Sequence, residues 1–361
     1  MTPLNILLSG PGLIGRQHAK LILEHEDCIL GGIVAPPSEP NVEFGRVRKV
    51  PVYTSVEDAI QSACFDAAII SSPNRFHFEQ AETCVRAGIP ALVEKPITDT
   101  LRSAQQLADL SDQSGVPILV GHHRTYSPLL VAAEGFLRSG EFGRPVALQG
   151  SALFYKPAQY FLDGPWRTKS GGGPVLINLI HEIGLMRLLF GEIVSVFADA
   201  SNALRQFEVE DTVSIALRFE NGALGSFLLS DVAASNKSWE MTSGENPKYP
   251  HYPDSTCYHF AGSNGSLDFP SMLTRHYRDA SEASWWSSFS DGKLEFSSGD
   301  PLRLQLDHFV QVSRKSATPK ISARDGYKNM LVVEAINMSI LGRRMIDLSE
   351  VFHRYEDGSV K

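Results

Sequence analysis

The sequence predicts an α/β Rossmann domain with a parallel sheet, joined to an α+β C-terminal domain with a large, mainly antiparallel open sheet. Three observations predict this. Apolar strand-like runs alternate with amphipathic helical stretches as far as Gly121, and at this spacing strand–helix alternation implies right-handed crossovers and parallel pairing. A glycine-rich turn, Gly10-Pro11-Gly12-Leu13-Ile14-Gly15, stands between the first strand and the first helix. Beyond Gly121 the rhythm changes to longer strands with alternating polarity and a hairpin signal. The domains are therefore expected at residues 1–123 and 124–361.

Leu4 to Ser9 is continuously apolar, as suits a strand buried on both faces. The next helix places Ile14, His18, Leu21 and Ile22 on one face, and Ile29 to Val34 reads as the second strand. Ser55 caps a short helix with Glu57 and Asp58 in its first turn, where carboxylates suit the dipole. Phe65 to Ser71 is a third strand, Phe76 to Ala87 a helix closed by Gly88, and Ala91 to Val93 a fourth strand. A helix from Asp99 to Ser114 leads to a fifth strand at Pro117 to Gly121.

In the second domain a helix is expected at Pro128 to Arg138 and a long strand at Val146 to Tyr155. The triplet Gly171-Gly172-Gly173 opens a helix from Pro174 to Phe190. Strands Thr212 to Phe219 and Ala223 to Ser230 are joined by Glu220-Asn221-Gly222, a hairpin signal. Asn236 to Asp254 reads as a long loop, followed by strands at Cys257 to Ala261 and Ser266 to Phe269. Helices at Leu302 to Ser316 and Gly326 to Leu348 close the chain.

Composition narrows the function. The chain has 361 residues, 43% hydrophobic and 20% charged, as in an ordinary globular protein. Its formal charge of -8 argues against nucleic acid, which needs a basic surface. Cys28, Cys64, Cys84 and Cys257 form no C-x-x-C pair and no zinc-finger spacing, so reduced, mostly buried thiols and no metal are expected. No apolar stretch is long enough for a membrane helix. The chain enters a strand almost at once, with no signal-peptide pattern. The expectation is a cytoplasmic protein without membrane contact.

The glycine turn has the context that its chemistry requires, a strand before it and an amphipathic helix after. Gly10 permits the tight turn, Gly12 lets backbone amides approach a pyrophosphate, and Gly15 lets the helix close on the strand. Leu13 and Ile14 begin the helix whose positive end would hold the phosphates. A carboxylate at the end of the second strand would bind the ribose of NAD. That stretch is Ile33-Val34-Ala35-Pro36-Pro37-Ser38 and has none. Ser38, with Arg46 or Arg48 as a counter-charge, suits a 2′-phosphate instead. The cofactor is NAD or NADP.

Glu94-Lys95-Pro96 follows the fourth strand, and ligands of doubly wound sheets bind at the carboxyl ends of strands. A cation there can stabilise an alkoxide or donate a proton. Read alone, a lysine is more often a solvated surface group. The combination of motifs nonetheless resembles the Gfo/Idh/MocA oxidoreductases. The matching pieces are the glycine turn with Arg16-Gln17-His18, Ser71-Ser72-Pro73-Asn74 with His77, and Glu94-Lys95-Pro96. Gly121-His122-His123-Arg124 with Pro128, and Gly171-Gly172-Gly173 with His181, complete the series in family order.

The resemblance implies that Ser71, Pro73, Asn74 and His77 line the nicotinamide side of the cofactor. It places Glu94 and Lys95 at nicotinamide and substrate, with a cis peptide before Pro96. It makes His181 the acid/base residue with Lys95 beside it, and it implies a homodimer or homotetramer. The sequence departs from the family at two positions. Many members carry an Asp four residues before the histidine, where this chain has Ile177; Asn178 is one position off and cannot act as a base. A second acidic residue often stands three after the histidine, where this chain has Gly184. Arg124, Tyr155, Trp166, Arg167, Asn178 and His181 are the candidate substrate contacts. Trp239, Glu240 and Tyr252 are read as packing a loop, and Trp285 and Trp286 as core or subunit contact. The leading expectation is an NAD(P)-dependent dehydrogenase or reductase of a sugar, polyol or related hydroxy compound. A non-catalytic nicotinamide-binding regulator and an NAD-dependent glycoside hydrolase are the alternatives.

Overall fold

The computed structural model describes residues 2–356. The chain divides into two units. The first runs to Tyr126 and includes Asp300–Met330, and the second comprises Ser127–Gly299 and the chain from Leu331 on. The first crossing falls three residues beyond the expected boundary at 123/124. Residues 300–330, within the span expected for the second domain, group with the first unit. Helix α10 (Pro301–Ser313) explains why. Its Leu302, Leu306, Phe309 and Val310 join Ile6, Leu8, Ile22, Leu30 and Ile69 in one buried cluster. Burying four large apolar side chains is worth several kcal/mol, more than an exposed helix could recover from propensity.

The first unit contains β1 (Leu4–Ser9), α1 (Leu13–Leu23), β2 (Cys28–Val34), α2 (Glu39–Arg48), β3 (Val52–Tyr53) and α3 (Val56–Ser62). It continues with β4 (Ala67–Ile70), α4 (His77–Arg86), β5 (Ala91–Glu94), α5 (Leu101–Ser114) and β6 (Ile118–Gly121). The six strands are all parallel in the order β3-β2-β1-β4-β5-β6. The order reverses at β1/β4, the switch point where ligands of such sheets bind. Helix α2 and strand β3 were absent from the sequence reading. Ser38 followed by Pro40 at the first helical turn was the overlooked start signal.

The second unit holds α6 (Pro128–Leu137), β7 (Pro145–Leu153), α7 (Ala158–Leu162), α8 (Ile180–Phe190), β8 (Ile193–Ser201), β9 (Thr212–Phe219), β10 (Leu224–Ser230) and α9 (Trp239–Thr242). Strands β11 (Tyr258–Gly262), β12 (Gly265–Phe269), β13 (Leu273–His276) and β14 (Ser290–Lys293) follow. After α10, α11 (Ala323–Gly342), β15 (Ile346–Asp347) and α12 (Leu348–Glu356) complete the described chain. The nine-stranded sheet has the order β14-β13-β12-β11-β7-β10-β9-β8-β15, antiparallel except at β10–β7. Strand β9 alternates buried and exposed residues along its length, as a sheet covered on one face requires.

Several boundaries move. The helix expected to run to Leu348 stops at Gly342, where Arg343 takes a left-handed conformation and Ile346 pairs with β8 instead. The strand expected to reach Tyr155 ends at Leu153, and Tyr155 makes a lone bridge to Val232. Trp239 is buried and donates to Glu245 Oε2 at 3.0 Å, so it packs its loop as expected. Trp285 and Trp286, expected in a core or a subunit contact, are 87% and 85% exposed and so lie outside the core of this chain. Cys28, Cys84 and Cys257 are buried thiols and Cys64 is exposed. Among the described residues no helix is long and apolar enough to cross a membrane, and no three His, Cys, Asp or Glu converge as a metal site.

Candidate functional site

The turn after β1 is built for close approach. Gly10 has φ +82°, and a Cβ there would lie 2.4 Å from Ser72 N. A Cβ on Gly15 would lie 2.0 Å from Gly10 O, so only glycine lets α1 pack on the turn. Gly12 differs: it opens α1 as its N-cap, and nothing lies within 4 Å of the position its Cβ would take. That open space stands before the first backbone amides of α1, and no acidic residue occupies the first turn. The cradle thus fits a pyrophosphate, which needs backbone N–H groups, the positive helix end and no competing carboxylate.

The residues expected to line the nicotinamide side divide into two kinds. Ser71 Oγ donates to Ser9 O and Gly10 O, both at 2.9 Å, so it braces the glycine turn. His77 is buried, with Nδ1 3.0 Å from Pro96 O and Nε2 2.8 Å from Ser72 O. Burial lowers its pKa, and a neutral ring donates to one of these two carbonyls. His77 therefore sits between two loops with both ring nitrogens facing backbone carbonyls. Pro73 and Asn74 form the entry to α4, in a short 3₁₀ turn. Gln80, which belongs to no motif, accepts with Oε1 from both Ser9 Oγ and Ser72 Oγ at 2.8 Å.

At the carboxyl end of β5, Glu94 is buried and accepts from His18 Nε2 at 2.8 Å and from Lys95 N at 3.3 Å. Burial disfavours its charged form. The bond from His18 and the charges of His18, His123 and Lys95 outweigh burial and hold the carboxyl below its ordinary range. A Cβ on Gly121 would come 2.9 Å from Glu94 Cδ, so the next strand also needs its glycine here. Lys95 is half-buried, and the Lys95–Pro96 peptide is cis, as the resemblance implied. Arg124 is buried in a 3₁₀ turn.

His123 lies in the same turn. Burial, with the charges of Arg124, Lys95 and His18, pushes its pKa down to about 4 against the pull of Glu94. An unfolded histidine takes a proton near 6.5, so between about 6.5 and 4 the unfolded chain binds more protons and stability falls as pH falls. We expect urea unfolding to show this loss between pH 7 and 5 and expect His123→Gln to diminish it. An unchanged pH slope in the variant would assign the loss elsewhere.

The second unit carries the other candidates. Val175–Leu179 is a π-helical turn leading into α8, and Val175 N donates to Glu210 Oε1 at 2.9 Å. Such turns are frequent at functional sites. Asn178 lies in this turn and His181, half-buried, in the first turn of α8. Asn178 Oδ1 accepts from Lys156 Nζ at 2.7 Å. A lysine is only a donor, so this bond settles the amide's orientation and leaves Nδ2 turned away. Burial lowers the Lys156 pKa to about 8, with Arg205 adding to the shift and Asp231 and Glu240 opposing it. Lys156 had no signal in the sequence, because its partners are 22 and 75 positions away.

Glu182, beside His181, is committed to the core through the Tyr258 hydroxyl. Arg167 stacks on Tyr160, 3.9 Å from the ring centroid, rather than chiefly on Trp166 at 5.7 Å. Trp166 and Tyr155 are exposed.

Residues 4–122 match the oxidoreductase family with an NAD-binding Rossmann fold, and residues 130–268 match the GFO/IDH/MocA C-terminal domain. A 1,5-anhydro-D-fructose reductase from Ensifer adhaerens is 30% identical over 179 residues, 48% of this chain and 53% of that protein. This chain thus spans about half the length of that relative. A D-apiose dehydrogenase from Paraburkholderia graminis is 23% identical over 95% of this chain and 89% of its own. An oxidoreductase from Agrobacterium radiobacter, solved with NAD+, L-tartaric acid and magnesium, shares the fold with a TM-score of 0.81. It is 15% identical and covers 97% of this chain and 99% of its own.

Proposed function

Because the chain belongs to the Gfo/Idh/MocA family of NAD-binding oxidoreductases, we propose that it is an NAD(P)-dependent dehydrogenase or reductase of the CH–OH group of a sugar, polyol or related hydroxy compound. One observation carries the reading. A cradle shaped for a pyrophosphate follows β1, and the same parallel sheet ends β5 in Lys95 beside a buried, ionised Glu94. The relatives named above support the substrate class, since D-apiose and 1,5-anhydro-D-fructose are sugars.

The nicotinamide, when bound, accepts or returns the hydride. Lys95 stabilises the negative charge that develops on the substrate oxygen. His181 takes the hydroxyl proton in oxidation and returns it in reduction, a role suited to imidazole near neutral pH. Oxidation thus removes a hydride from carbon and a proton from oxygen and leaves C=O. Asn178 offers its two Nδ2 hydrogens to a substrate oxygen, and Arg124, Tyr155, Trp166 and Arg167 are the remaining proposed contacts. Pro73, Asn74, Leu13 and Ile14 are proposed to lie along the cofactor. Ile177, where an acid is frequent, favours one competitor, a nicotinamide-binding regulator without turnover. Lys95 and His181 argue against it.

The test is to incubate the protein with NADP, then NAD, and a panel of sugars, inositols and sugar acids, following the absorbance of reduced nicotinamide. Cofactor binding with no turnover of any compound would remove the enzyme reading. Glycoside cleavage without net reduction would establish the hydrolase in its place. We also propose a cytoplasmic homodimer or homotetramer. The outward face of the sheet of the second unit leaves Phe197, Leu224, Leu228 and Leu273 exposed, apolar surface of the kind that a second copy would cover. A monomer mass by light scattering would sink the oligomer.

A further inference from the structure

Three arginines near β2 and α2 differ in what holds them. Arg46 places Nε and Nη2 each 2.7 Å from the Glu43 carboxylate, so its charge is already matched. Arg16 and Arg48 pair with no carboxylate among the described residues. Both instead lie against one ring, Phe44, with guanidinium carbons 4.6 Å and 3.6 Å from its centroid. The two like charges are therefore within roughly 8 Å of each other, near enough to repel unless an anion joins them.

Each is held in place by a single backbone contact. Arg16 Nε donates to Pro11 O, inside the glycine turn, at 3.1 Å. Arg48 Nη1 donates to Phe44 O at 3.1 Å, and its Nε is buried with no hydrogen-bond partner. Helical side chains lean toward their N-terminus, and Arg48 lies one turn back along α2, over Phe44. Ser38 opens α2, yet its hydroxyl makes no capping bond. At the end of β2 stands buried Ala35, with no carboxylate to bind a ribose 2′-hydroxyl or to repel a 2′-phosphate. Of the nearby acids, Glu43 is bound to Arg46 and Glu39 is exposed to solvent.

We propose that Arg16 and Arg48, with the Ser38 hydroxyl, form a phosphate site for the 2′-phosphate of NADP, so that this protein uses NADP in preference to NAD. The inference rests on the dinucleotide reading and adds the phosphate specificity to it. The sequence alone favoured Arg46 and Arg48 equally; the Glu43 pair removes Arg46, and the Pro11 contact brings in Arg16.

The test is direct binding by isothermal titration, with NADPH, NADH, 2′,5′-ADP and ADP as probes. NADPH is expected to bind at least tenfold more tightly than NADH, and 2′,5′-ADP to bind where ADP does not. The double variant Arg16→Gln/Arg48→Gln should lose at least tenfold in NADPH affinity with NADH affinity unchanged, and the double variant Arg16→Gln/Arg48→Lys should lose less. Ala35→Asp, which leaves both arginines in place, should reverse the preference. NADH binding as tightly as NADPH would overturn the phosphate site and leave the dinucleotide reading standing, as would equal loss of both cofactors in the double variant. Failure of all four probes would overturn the dinucleotide reading itself.

Discussion

Lys95→Ala should lower kcat by about 10²- to 10⁴-fold, the range lost when a positioned proton-transfer or charge-stabilising group is removed. The change should fall on kcat and kcat/KM together, because the interaction proposed for Lys95 is strongest when the substrate oxygen carries negative charge. Dinucleotide affinity should change little. The backbone N–H of Lys95, which the variant keeps, donates to Glu94, and the carboxylate keeps its bond from His18. Turnover with the substrate found in the panel, set beside dinucleotide titration, checks both halves. An unimpaired kcat would remove Lys95 from the mechanism. Loss of cofactor binding in step with kcat would show that it serves the binding site instead. His181→Ala should lower kcat similarly with cofactor affinity intact.

The second large effect separates two glycines that a motif treats alike. Gly15→Ala puts a Cβ 2.0 Å from the backbone oxygen of Gly10, an atom that cannot swing aside. Overpacking of this kind costs about 3 kcal/mol, or roughly 6–12 °C in Tm for a unit of this size. Gly12→Ala meets nothing within 4 Å and keeps an ordinary negative φ of -74°. Its Tm should stay within about 1 °C of the parent, since the methyl strains nothing. Yet the methyl fills the space through which a pyrophosphate approaches, so dinucleotide affinity should fall about tenfold or more, over 1.4 kcal/mol. Calorimetry and titration on both variants check the contrast. A stable Gly12→Ala protein with unchanged affinity would mean that the cradle does not hold the pyrophosphate.

Much of the first unit was legible because its signals are local. A continuous apolar run, three glycines at fixed offsets and an amphipathic helix lie within 23 residues, and each constrains the backbone it belongs to. The hairpin at Asn221-Gly222 and the helix stop at Gly88 were legible for the same reason. Helix α2 was legible in principle, through Ser38 and Pro40 at its first turn. The candidate residues Lys95 and His181 were found through motif context rather than through any property of a lone lysine or histidine.

The sequence by itself therefore determined the strand–glycine turn–helix that holds a dinucleotide, the alternation that yields a parallel sheet, and the presence of Lys95 at the end of a strand. Only the tertiary structure decided what the charged groups do. It set His18 against Glu94 across 76 positions, gave Asn178 its orientation through Lys156, and returned α10 to the first unit. It also spent Arg46 on Glu43 while leaving Arg16 and Arg48 on the Phe44 ring. The reason is physical. Turns and periodic faces follow from the dihedral freedom of neighbouring residues, whereas the charge state and reach of a side chain depend on partners that only packing brings within a few ångströms.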